Sequence, residues 1–167
     1  EQALTRIFQR FVNSPTHQHL ALLDCGLIVA DGWLRAAWLG TVRAHGVLSL
    51  LNTPMHRTEH LIEGTPTMLV KQSLGWMGVI WSKPVVADLL QHVPMSPQYS
   101  QAICQHLRSR LPLCCLLESQ VQHVGVPAHS LQRGPFEHGV GFAPGNDTTA
   151  RILARETEKL ILGLMRR

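Results

Sequence analysis

The chain has 167 residues, 45% of them hydrophobic and 16% charged, with fifteen Lys and Arg against eleven Asp and Glu for a net charge of +4. That length fits one core better than two, and the apolar content suffices to fill it. A charged fraction below the usual ~25%, with the basic residues scattered rather than run together, argues against a dedicated polybasic surface and leaves much of the exterior uncharged.

The first element is a helix over residues 3 to 12, because Ala3, Leu4, Ile7, Phe8, Phe11 and Val12 recur at helical spacing until Asn13, Ser14 and Pro15 interrupt them. An uncapped helix beginning at Glu1 reads as a domain excised from a larger polypeptide, a single domain over 1–167. Leu20 to Ala30 follows as an apolar run with Cys25 and Gly26 at its middle, a strand or tight hairpin. It is broken by Asp24 and falls short of the ~18 apolar residues a membrane span needs.

Asp31 is placed to cap a second helix carrying Leu34, Ala37, Trp38, Thr41 and Val42, with Gly46 as its stop and Trp33 and Trp38 as expected core anchors. Val47 to Leu51 reads as a buried strand. His60 to Ile62, Thr67 to Gln72 and Trp76 to Trp81 alternate with Gly and Pro and predict an antiparallel meander, with Ser73, Leu74 and Gly75 as a hairpin loop.

Two helices come next, Pro84 to Val93 and, from an N-cap at Ser96 with Pro97, a second to about Arg110. Leu113 to Val126 is β-compatible, one or two strands. Residues 127 to 147 are rich in Gly and Pro and predict a long irregular connection, a place where ligand gating can reside. A last helix opens near Asp147 or Thr148 and carries Ile152, Leu153, Leu160, Ile161 and Leu164, with Arg166 and Arg167 suited to its C-terminal dipole. The expected fold is therefore a single-domain α+β arrangement, an antiparallel sheet of about four to six short strands packed against four to five amphipathic helices.

Chemical signals are weak. Cys25, Cys104, Cys114 and Cys115 lack the spacing of a disulfide framework and read as free, buried thiols of a reducing, cytoplasmic compartment. Leu113, Leu116 and Leu117 surround the vicinal pair with a medium that raises a thiol pKa, which opposes reactivity. Of ten histidines, His56 and His60 have the i, i+4 spacing of a helical metal clip, but Asn52, Thr53 and Pro54 before them and Leu61 after them disfavour a helix there. His17 and His19 form the other local pair. The Gly-rich stretch matches no phosphate-binding fingerprint, and no cofactor is indicated.

Three functional classes follow. Four Trp and five Met in a weakly charged chain fit a non-catalytic regulatory or interaction domain that binds a protein partner, another copy of itself, or a small apolar ligand. A nucleic-acid-binding module of helix-turn-helix or winged type would use Gln98, Gln101, Gln105 and Arg108 at base edges. An enzyme would need a cleft where His and Cys meet.

Overall fold

The computed structural model describes residues 2–94, 99–123, 139–146 and 148–165. It is a mixed α+β fold of five helices, a six-stranded sheet and a separate two-stranded sheet. The elements in chain order are α1 (Gln2–Asn13), β1 (His19–Leu23), β2 (Leu27–Val29), α2 (Trp33–Arg43), β3 (Val47–Ser49), β4 (Thr58–Ile62), β5 (Met68–Lys71), β6 (Gly78–Ser82), α3 (Lys83–His92), α4 (Tyr99–Arg108), β7 (Leu113–Leu116), β8 (Val121–His123) and α5 (Thr148–Met165).

The large sheet runs β1-β6-β3-β7-β5-β4. It is not the purely antiparallel sheet expected: β3 and β7 pair in parallel, with Leu48 opposite Cys114 and Ser49 opposite Cys115. The expected meander also breaks apart. β4 and β5 form a hairpin, but β3 and β7 lie between β5 and β6, so residues 73–75 lead away from the hairpin instead of closing one. The physical reason lies in burial. β3 and β7 are buried at every position, and a strand apolar on both faces belongs at the centre of a covered sheet.

Side-chain alternation splits the core into two layers. Val47, Val79, Trp81, Leu113 and Cys115 point to one face, where they meet Phe8 and Phe11 of α1, Val86 and Leu89 of α3, and Ile103 and Leu107 of α4. Leu48, Ile80, Cys114 and Leu116 point to the other, with Met68 and Val70, where Ala37 of α2 and Val121 of β8 cover them. α2 approaches that second face closely at Gly40: a Cβ there would stand 2.7 Å from a methyl of Leu48.

The apolar run from Leu20 to Ala30 becomes two strands in different sheets, β1 on the edge of the large one and β2 paired with β8 in the small one. The stretch beginning at Leu113 divides in the same way. Asp31 does not cap α2. The N-cap is Gly32, with φ of 73° and no side-chain cap bond, while Asp31 Oδ2 accepts from the Asn146 backbone N–H at 2.7 Å. Trp38 does not anchor the core either, being 61% exposed. No helix among the described residues is long and apolar enough to cross a membrane. Ser96, Pro97, Gln98, Arg166, Arg167 and residues 127–138 and 147 of the Gly- and Pro-rich connection lie outside the described residues.

Candidate functional site

α3 and α4 meet through polar side chains. Asp88 meets Arg110 just beyond the end of α4, and His92 stacks on His106 one turn away. Gln101, Gln105 and Arg108 do share an exposed face of α4, as their i, i+4, i+7 spacing demands. Yet this face forms one wall of a cleft of about 380 Å³, whose opposite wall includes Gln72, Ser73 and Trp76. Arg108 Nη2 is bound to Glu59 Oε1 of β4 at 2.7 Å, which compensates the charge a phosphate would seek.

His56 enters the same cleft from the turn before β4. Its Nδ1 lies 2.6 Å from Ser73 Oγ. Lys71 holds that turn from below, its Nζ donating to the carbonyls of Thr53 at 3.0 Å and His56 at 3.1 Å. The spacing of His56 and His60 thus carries no shared helical face: one sits in a turn against Ser73, the other is exposed on β4. Cys104 also lines the cleft, but burial pushes its thiol pKa up, toward the unreactive form. Ser73 stands on a connection between strands and not at a strand-to-helix elbow.

The vicinal cysteines alternate across β7. Burial pushes Cys114 up to about 11 and Cys115 to about 12. Both are packing residues, as their leucine neighbours imply. Cys25 departs from the expectation of four buried thiols: it is exposed in the turn between β1 and β2, and all four cysteines are free.

No protein-family model matches the chain. No curated protein matches it either.

Two features stand out. The first is an apolar stripe on α2: Leu34, Trp38 and Val42 recur every four residues and are 65%, 61% and 71% exposed. His19 of β1 stands edge-on to Trp38, with ring centroids 6.1 Å apart. Leu20 and Leu22 point into the α1–α3–α4 layer, so His19, Ala21 and Leu23 look out on the same side of the sheet as α2. The stripe thus adjoins an edge strand.

The second is a titratable cluster between α3 and α4. Asp88 and His92 are one turn apart on α3, and His106 faces them from α4. His106 Nε2 lies 2.6 Å from Asp88 Oδ2, and His92 Nδ1 lies 3.0 Å from Asp88 Oδ1. The hydrogen bond from His106, more than the neighbouring charges, holds the Asp88 carboxyl below its usual range. Among the described residues this is the group whose three metal-type ligand atoms lie close together. Spacing along one helix could have shown only Asp88 and His92. The third member required knowing how the two helices meet.

Proposed function

We propose that the chain is a non-catalytic interaction domain whose docking surface is the exposed face of α2 together with edge strand β1, and that its occupant is a second copy of the same chain. The observation that carries this reading is the Leu34–Trp38–Val42 stripe. Three large apolar side chains on one helix face, each more than half exposed, are an unusual cost for a surface that meets only water.

The two edges of the large sheet support the choice of occupant. β4, at one edge, carries Glu59 and His60 and an irregular register between Thr58 and His60, devices that discourage further strand pairing. β1, at the other edge, reads His19–Leu23 with no charge, Pro or register break, and among the described residues only β6 pairs with it. An unprotected edge pairs with its own copy about a two-fold axis without needing a different partner, and the adjoining stripe supplies the apolar area to hold such a pair.

Size-exclusion chromatography with light scattering tests it. The expected result is a dimer for the native chain and a monomer for Trp38→Glu, with unchanged circular dichroism. A native chain that stays monomeric at high micromolar concentration, or a Trp38→Glu variant that still dimerises, overturns the reading.

A further inference from the structure

We propose that α3 and α4 carry a binding site for a divalent transition metal of the zinc class, ligated by Asp88, His92 and His106. The site is distinct from the proposed docking surface, which lies on the opposite side of the sheet.

Three features of the cluster support this. The ligand atoms of the three side chains all lie within 4.8 Å of one another, so a modest closure of the rotamers brings them onto one ion at the ~2.0–2.2 Å that imidazole and carboxylate ligands adopt. Each is held by a helix. Asp88 and His92 project from one face of α3 because they are four residues apart, and α4 delivers His106 to the same point. The donor set, two imidazoles and one carboxylate, suits Zn²⁺, Cu²⁺ or Ni²⁺ and not Ca²⁺ or Mg²⁺, which prefer all-oxygen shells.

The hydrogen-bonded arrangement is the metal-free counterpart of that site. Asp88 Oδ1 accepts from Arg110 at 2.8 Å, while Oδ2 faces His106. The carboxylate can therefore offer Oδ2 to a metal with Oδ1 still held by the guanidinium, a supporting bond that orients the ligand. His92 is about half exposed, so the ion has a route in from solvent and a fourth position open to water. His92 Nδ1 also meets the Asp88 main-chain carbonyl at 2.9 Å, so binding replaces the His106–Asp88 contact and frees the His92 ring from both Asp88 oxygens, and each imidazole must present a lone pair. An imidazole proton therefore moves to the other ring nitrogen or to solvent as the ion binds.

Titration of the metal-free chain with Zn²⁺, and with Co²⁺ for its visible spectrum, decides the matter. The expected result is one ion per chain, a rise in Tm, and cobalt bands of a nitrogen- and oxygen-ligated site. His92→Ala and His106→Ala should each weaken binding by at least about tenfold, since loss of even a supporting partner commonly costs that much. His92→Ala changes a half-exposed residue and keeps the fold, so it remains informative if His106→Ala does not. His60→Ala, outside the cluster, should bind as the native chain does. Absence of stoichiometric binding, or binding by His92→Ala equal to that of the native chain, overturns the proposal.

Discussion

Asp88 and His106 lie on different helices, yet their side chains meet at 2.6 Å, joining α3 to α4 through a charge-assisted contact that Arg110 reinforces. The folded protein holds the Asp88 carboxyl below its ordinary value of 3.8, chiefly through the His106 hydrogen bond. The unfolded chain therefore takes up this proton first as pH falls. The contact's contribution is fully present above pH 3.8 and is lost on descending through the lower folded value. Denaturant midpoints of the native chain and Asp88→Asn should converge as the pH is lowered through that window. Curves that stay parallel down to complete protonation would show that Asp88 contributes nothing to acid stability.

The cysteines give a direct check on the sheet. Cys25 is exposed, whereas Cys104, Cys114 and Cys115 are buried with pKa values pushed up by desolvation. A thiol reagent at pH 8 should modify one equivalent rapidly in the native chain and four after denaturation, and Cys25→Ser should abolish the rapid equivalent. Rapid reaction of three or more would expose Cys114 or Cys115 and mean that β7 is not central.

Trp38 and Trp81 sit in similar apolar patterns but have opposite environments. Trp81 is 1% exposed, stacked on Trp76 at 5.3 Å and edge-on to Phe8 at 5.8 Å. Trp81→Ala should cost about 3–5 kcal/mol, because it removes the largest side chain of the α1–α3 layer and leaves a cavity. Trp38→Ser should change the stability of the monomer by less than about 0.5 kcal/mol. Urea unfolding followed by circular dichroism, at concentrations where both variants are monomeric, separates the two.

The contrast between those tryptophans shows what local pattern conveys. α1 and α3 were legible because their apolar residues keep helical spacing to a single partner layer, and the observed bounds differ from the expected ones by about one residue. α2 has apolar residues around much of its circumference, so spacing alone does not say whether Ala37 or Trp38 faces the sheet. Gly40 decides it: the small residues at 37 and 40 let the helix close on Leu48, which turns Leu34, Trp38 and Val42 outward. The parallel β3–β7 pair was hidden for a related reason. A run such as Leu113–Leu116 reveals burial on both faces, but strand order depends on contacts more than sixty residues apart. The metal-type cluster shares this limit, since His106 joins Asp88 and His92 only where α4 meets α3.

Lys71 offers a last test, on the turn that positions His56. Its ammonium is buried with Thr53 and His56 carbonyls as acceptors, and desolvation lowers its pKa from 10.5 despite the opposing influence of Cys115. Here the folded state releases the proton before the unfolded state does. Stability due to this group therefore rises with pH between the lowered folded value and 10.5, and is constant outside that window. Cys114 and Cys115 act in the other direction, since the unfolded thiols ionise from pH 9.0 while the folded ones resist. Because the same thiols are present in Lys71→Met, the stability of the native chain minus that of the variant largely isolates the lysine. That difference should grow with rising pH, while hydrogen exchange in residues 53–56 of the variant should accelerate where the two carbonyls lose their donor. A difference that is flat or falls with pH would mean that the Lys71 amine is solvated, and that the turn bearing His56 is held by something other than this buried donor.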